Sequence, residues 1–378
     1  MVIRASESVT EGQSDKIADL ISDAVVDALI EQDQNASVSC ETLISNGFCI
    51  VAGEISTEAY APIVEIAKRT IREIGYTDGS YGFDYRSAGV ITAVNDRVAD
   101  VAIGARRNGR LGASDQAIAI GFACDETPQM LPFDLALAHK LTAKLAEARK
   151  SSLVPFLLPD GKAQVSVAFE NGVPVKICAL TIAAQHARAA SVETVREAVM
   201  EEVVKEVVPR DLLEGAQVSI NAAGAFVIGG PQCDTGLTGR KSVSDCYGAS
   251  VAHGGGALSG KDPMRIDRAA TYMARYVAKN IVASGIAKRA KVELVYGIGD
   301  VEPSSAHICL GHNACVDEER LARFVRERFD LSTEGIAKTL DLLKPRYRQN
   351  AAYGHFGRED LPWERCDRAA EIRLEFGV

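Results

Sequence analysis

The chain has 378 residues, enough for two or three domains and a substantial core. With 47% hydrophobic and 25% charged residues it falls in the globular range, and a formal net charge of −9 argues against general binding to nucleic acid or anionic membranes. No apolar stretch reaches the roughly 20 residues that span a bilayer, and with no leader pattern and nine scattered cysteines the expectation is a reduced, cytoplasmic protein.

The first predicted element is a helix from about Ser14 to Glu31, where Ile17, Leu20, Ile21, Ala24, Val25, Ala28 and Leu29 recur at helical spacing. Asp15, Asp19, Asp23 and Asp27 fall four apart on its other side. Like charges so spaced cost a few tenths of a kcal/mol per pair, so Asp19, Asp23 and Asp27 read as a solvated face. Asp15 differs, because it lies at the helix start beside Glu11-Gly12, where it can serve a bound ion. A hairpin follows, Val38–Ile44 and Phe48–Ile55, since Asn46-Gly47 between apolar runs is a strong turn signal. Next come a helix near Tyr60–Ile74, a short strand Val90–Val94, and a polar loop over 95–114.

The pattern then recurs. Asp134–Arg149 reads as helix, Gln164–Phe169 and Val175–Ala184 as strands about Asn171-Gly172, and Val192–Val207 as helix. A third round has strands at Val218–Ile220 and Phe226–Ile228, a helix at Asp267–Ser284, strands at Val292–Ile298 and Ser305–Cys309, and a helix at Glu318–Phe329. Strand pairs alternating with helices predict an α+β fold of three related units, each a sheet covered on one face by helices. The divisions fall at 1–100, 111–229 and 230–378.

Residues 229–268 carry the chemistry. They combine many glycines with Arg240, Lys241, Lys261 and Arg265 as cations and Asp234, Asp262 and Asp267 as possible metal ligands. Glycines let backbone approach a ligand, and cations with a carboxylate-bound Mg²⁺ suit a polyphosphate. Gly255–Lys261 fits all but the end of the P-loop pattern, but Asp262 takes the hydroxyl position and no apolar strand leads in, so a phosphate site of another kind is expected.

Seven blocks point to one family: Ser6–Gly12, Asp15–Asp19, Gly112–Gln116, Phe226–Pro231, Gly236–Lys241, His253–Gly256 with Ser259–Pro263, and Ala352–Arg358. Through them the chain resembles the S-adenosylmethionine synthetases nearly end to end. The resemblance implies three similar α+β domains about a pseudo-threefold axis, in homodimers often paired into tetramers, with active sites at the interface. It implies transfer of the adenosyl group of ATP to methionine sulfur, with the displaced triphosphate cleaved to diphosphate and phosphate, and it implies two Mg²⁺ per site and K⁺.

By motif, Asp15 and Asp267 would hold Mg²⁺, and Glu41 would join the K⁺ site. Lys162, Arg240, Lys241, Lys261 and Arg265 would contact the phosphates, Arg265 standing where the family usually has lysine. Phe226 would stack on the base, and Asp234 would hold ribose or the amino-acid end, while Asp160, Ser259 and Ile298 also belong to the implied substrate site. Glu54 and Asp115 would face the amino acid across the dimer interface. As strand carboxylates, Glu41 and Glu54 also read simply as exposed side chains.

Departures from the family pattern gather in the same blocks. Gln13 replaces a histidine that assists the departing triphosphate; its amide can donate a hydrogen bond but cannot carry a proton's charge. Ser114 replaces glycine, Ala225 an arginine before the base-stacking position, and Leu258 a phenylalanine. Ile103 is the nearest counterpart of a glutamine that touches methionine, and Asp300 adds a carboxylate after Gly297-Ile298-Gly299. Two other readings therefore stand beside methionine adenosyltransfer: a paralogue with a different nucleophile or nucleotide, and a regulatory subunit without transfer activity.

Overall fold

The computed structural model describes residues 1–96, 106–107, 110–311, 314 and 316–377. Its three main sheets repeat one plan. In the first unit helix α1 (Ser14–Ile30) precedes the antiparallel hairpin β2 (Ser37–Ser45) and β3 (Phe48–Ser56), then helix α2 (Ile63–Ile74) and strand β4 (Gly89–Asn95), parallel to β3. In the second, helix α3 (Phe133–Lys150) precedes the hairpin β6 (Leu157–Glu170) and β7 (Val173–His186), then helix α4 (Val192–Val199) and strand β8 (Gln217–Ile220), parallel to β7. In the third, helix α5 (Ile266–Ser284) precedes the hairpin β9 (Arg289–Tyr296) and β10 (Ser305–Cys309), then helix α6 (Glu318–Arg328). The three leading helices have 17, 18 and 19 residues, long enough for each to cover one face of its sheet.

The units are laced together. Strand β1 (Val2–Val9), just before α1, pairs antiparallel with β6 of the second unit. Strand β5 (Ala117–Cys124), just before α3, pairs with β9 of the third, and the two-residue strand Gly236–Leu237 pairs with Leu43–Ile44 of β2 in the first. Each strand that precedes a unit's leading helix thus completes another unit's sheet, in a cycle. The turns from donated strand to helix lie where two units meet; Gln13, Arg240, Lys241, Ser259, Lys261 and Arg265 occupy two of them, and Asp15 and Asp267 stand in the first turns of the helices that follow. Buried side chains form one cluster shared by the first and third units and a second within the central unit.

Most predicted elements stand, and the differences have local causes. The helix expected from Tyr60 starts at Ile63, because Pro62 disfavours helical backbone in the residue before it. The helix expected over Val192–Val207 is interrupted by a π-helical turn at Met200–Val204. Phe226–Ile228 is not a strand: it is held to the end of β7 by single bonds, His186 N–H to the Phe226 carbonyl and Gln185 Nε2 to that of Val227. The acidic face of α1 is not solvated; Asp19 and Asp23 are fully buried and Asp27 largely so. The sequence reading missed β1 and β5. β5 is buried along nearly its whole length and so lacks the alternation that marks a half-exposed strand.

Two buried histidines give stability a pH dependence. His139 on α3 meets Ser8 Oγ through Nδ1 at 2.8 Å, and His355 meets Tyr272 on α5 at 2.9 Å. Burial, with nearby positive charge, depresses both, His139 to about 4 and His355 well below its ordinary value. Below the ordinary histidine pKa the unfolded chain binds protons that the folded chain refuses. Stability therefore falls as the pH drops from about 6.5 towards 4, by up to about 1.4 kcal/mol per pH unit for each histidine. Urea unfolding at pH 7.5 and 5.0 measures this, and a His139→Gln variant that kept the parent's full pH dependence would contradict it.

Candidate active site

The site begins at the start of α1. Gln13 has extended backbone and caps the helix: its Oε1 accepts the amides of Asp15 and Lys16 at 2.9 and 3.3 Å. Asp15, 1% exposed, takes bonds from three directions. Lys241 Nζ lies 2.5 Å from Oδ2, the Leu237 amide donates to Oδ1 at 3.0 Å, and Gln13 Nε2 donates to Oδ2 at 3.2 Å. Arg240 Nη1 stands 3.6 Å from Oδ1. Burial alone would raise the Asp15 carboxyl, but the bonds from Lys241 and the Leu237 amide and the lysine's charge hold it below its ordinary value. It remains an anion at neutral pH.

The second carboxylate is Asp267, in the first turn of α5, with Lys261 Nζ 2.7 Å from its Oδ2. A Cβ on Gly256 would sit 2.2 Å from Asp267 Oδ1, so a larger residue there would have to push the carboxylate aside. Arg265 caps the same helix; its Nε and Nη2 are buried without a hydrogen-bond partner, with Nε 3.5 Å from Asp262 Oδ2. Asp262 itself accepts the amides of Val38 and Met264, which explains a carboxylate where a P-loop would have a hydroxyl.

These two groups flank the short helix Ser242–Cys246. On one side a cleft of about 270 Å³ is lined by Glu7, Gln164, Arg240, Lys241 and Val243 among others. On the other a smaller recess is lined by Ile118, Val243, His253, Gly254, Gly256 and Asp267. Lys162 projects from the same face of β6 as Gln164, two residues away, and is exposed. Asp160 is buried nearby: its Oδ2 accepts the Gly230 amide at 2.9 Å, its Oδ1 has no partner, and burial raises its carboxyl. The Asp234 amide bonds the Gly230 carbonyl, and Gly230, at φ +58°, has no room for a Cβ against the Tyr76 hydroxyl.

Of the predicted residues, Arg240, Lys241 and Asp267 line these two clefts and the others do not. Glu41 and Glu54 are exposed on the face of the first sheet turned away from α1, and Asp115 and Ile298 are exposed in loops next to β5 and β9. Ser259 lies one residue from Gly260, whose carbonyl accepts the Cys40 amide on β2, and its Oγ is buried without a partner. Phe226 is half-buried. Among the described residues no group of three or more His, Cys, Asp or Glu could hold a metal alone. The acidic sites instead offer single carboxylates, the donor set that suits a Mg²⁺ sharing its shell with water and phosphate oxygens.

The sequence departures take definite places. Gln13 is the helix cap described above. Leu258 is 3% exposed and belongs to the shared core, so it does not line the site as expected. Asp300 spends Oδ2 on the Gly297 amide at 2.8 Å and its backbone bonds Ala113, so it shapes a turn rather than adding a free carboxylate. Ala225 is exposed, and Ile103 lies outside the described residues.

The sequence reading missed what the rest of the acidic face does. Asp19 accepts the Gly239 amide and Lys16, and Asp23 binds Arg268 with both oxygens and accepts the Gly260 amide. Asp27 accepts the amides of Arg346, Tyr347 and Arg348. One face of α1 therefore anchors both glycine-rich segments. The four-residue spacing was the signal, and its meaning depended on partners more than 200 residues away.

Three family models match the chain: the S-adenosylmethionine synthetase N-terminal domain over residues 1–99, the central domain over 110–226 and the C-terminal domain over 228–365. Among curated relatives, the S-adenosylmethionine synthase of a Nitratiruptor species is 53% identical over 371 residues, covering 97% of this chain and 96% of that one. The S-adenosylmethionine synthases of a Sulfurovum species and of Helicobacter pylori (strain G27) are each 50% identical, over 100% and 98% of this chain and 99% and 97% of theirs.

Proposed function

Since the chain belongs to the S-adenosylmethionine synthetase family, we propose that it transfers the adenosyl group of ATP to the sulfur of methionine and then cleaves the displaced triphosphate to diphosphate and phosphate. One observation carries the reading onto this chain's residues: Asp267 lines the recess and Arg240 and Lys241 line the cleft, with Asp15 buried behind Lys241 and each carboxylate within ion-pair distance of a lysine.

Methionine sulfur is a neutral nucleophile and needs no general base. Its lone pair forms the S–C5′ bond as the C5′–O bond breaks, and the bonding pair leaves with the triphosphate. Rate must then come from holding sulfur in line with C5′ and from opposing charge on the leaving group. Lys241, Lys261 and Arg240 supply that charge, with Lys162 from the face of β6. Arg265, whose buried Nε and Nη2 make no hydrogen bond although Nε is within ion-pair distance of Asp262, presents a planar fork that suits two phosphate oxygens at once. Asp15 and Asp267 would each hold a Mg²⁺, which when bound neutralises phosphate charge. Glu41 would hold K⁺, and the unpartnered Ser259 Oγ beside its strand is an oxygen available to such an ion. Phe226 would stack on the base, and Asp160 and Asp234 would lie at the nucleoside end.

Glu54, Asp115 and Ile298 are exposed in the single chain, which supports their acting in a homodimer, or a dimer of dimers, whose sites form between copies. The departures favour methionine over another acceptor, because Leu258 belongs to the core and Asp300 to a turn. No helix among the described residues is long and apolar enough to cross a membrane.

The test is methionine-dependent release of diphosphate and phosphate in equal amounts from MgATP with K⁺. Turnover only with other thioethers, amines or nucleotides would establish the paralogue reading in its place. ATP binding without turnover on any acceptor would indicate a regulatory subunit.

A further inference from the structure

We infer that Gln13 is a positioning residue for the metal carboxylate: it sets the affinity of the site for its divalent cation by fixing Asp15, and does not itself assist the leaving triphosphate. The inference rests on the reading of Asp15 as a metal ligand. Gln13 is 3% exposed. Both lone pairs of Oε1 go to the amides of Asp15 and Lys16, and Nε2 donates to Asp15 Oδ2 at 3.2 Å. One side chain therefore binds both the backbone and the carboxylate of Asp15. Glutamine is not a favoured helix cap; asparagine, serine, threonine and aspartate are, because their shorter side chains reach the first-turn amides with less loss of rotamer freedom. The additional methylene is what lets Nε2 reach past those amides to the carboxylate.

The consequence is a fixed rotamer. Asp15 Oδ1 is held by the Leu237 amide and Oδ2 by Gln13 and Lys241. Groups that orient a metal ligand in this way are typically worth about 10- to 100-fold in metal affinity. A side chain with its acceptor fully committed inside the cap is poorly placed to follow a departing phosphate.

Gln13→Asn separates the two jobs, since asparagine keeps a cap acceptor but is too short to reach Asp15 Oδ2. The probe is Mn²⁺, titrated by electron paramagnetic resonance into the full-length protein with an unreactive ATP analogue. Thermal melting serves as the check that each variant is folded. Gln13→Asn should melt within a few degrees of the parent while binding Mn²⁺ about tenfold more weakly, and turnover lost at low Mg²⁺ should return at high Mg²⁺. Parent-like Mn²⁺ affinity in Gln13→Asn, with turnover either reduced at every Mg²⁺ concentration or unchanged, would overturn the inference. Asp15→Asn distinguishes the underlying reading: if that variant also kept parent-like Mn²⁺ affinity, Asp15 would not be a metal ligand at all.

Discussion

Lys261→Ala should lower the rate of adenosyl transfer by about 10²-fold or more, with Arg240→Ala following it in direction. Lys261 stands at the mouth of α5 with its ammonium 2.7 Å from Asp267, on a segment that Gly260 and Asp262 fasten to β2. That anchoring pre-orients the charge, so little reorganisation is needed when negative charge grows on the triphosphate. Fixed charge in a site shielded from water is worth several-fold more than the same charge in bulk solvent. The effect should fall on kcat, because the interaction strengthens as the C5′–O bond breaks. Rapid-quench measurement of the first turnover isolates that step. If both alanine variants transferred adenosyl at the parent rate, the glycine-rich segment would not hold the triphosphate.

Arg268→Ala should cost about 3–5 kcal/mol of folding stability, the usual consequence of leaving one charge of a buried pair alone. Arg268 and Asp23 are both 0% exposed, and Nη2 reaches both carboxylate oxygens at 2.8 Å. The arginine also donates to the Lys261 carbonyl at 2.7 Å and lies over the Tyr347 ring, 4.3 Å from its centroid. One side chain thus joins α1, α5 and the glycine-rich segment. Burial pushes the Asp23 carboxyl up even with its partner present, so removing the guanidinium leaves it still costlier to ionise. Replacing both residues together by apolar side chains should recover much of the loss. Denaturant unfolding of Arg268→Ala that showed a loss below about 1 kcal/mol would contradict this account of how the units are joined.

The threefold recurrence was legible because each unit's hairpin and leading helix have distinct periods, as in Val38–Ile55 after Ser14–Glu31. The donated strands were not. β5 is buried on both faces and Gly236–Leu237 is two residues long, so neither has an alternation to read, and their partners lie in other units. The same limit governed the site. Lys241 and Lys261 stood out because glycines and cations cluster in sequence, and the structure sets each beside a carboxylate. Asp19, Asp23 and Asp27 read as a solvated face in the sequence because their partners, Gly239, Arg268 and Arg346–Arg348, are remote in the chain. Leu258 and Asp300 show the converse: neighbours of site motifs in sequence, they serve core packing and a turn. Local pattern identifies the chemistry of a segment, and long-range pairing decides which side chains face the ligand.

The reaction moves the adenosyl group of ATP, through C5′, onto methionine sulfur. Mass spectrometry of the products formed from MgATP and methionine measures this directly. A sulfonium of the mass of S-adenosylmethionine is expected, accumulating only when methionine is present and in step with diphosphate. ATP consumed with no adenosyl–methionine adduct, or an adduct formed only with a different nucleophile, would contradict it.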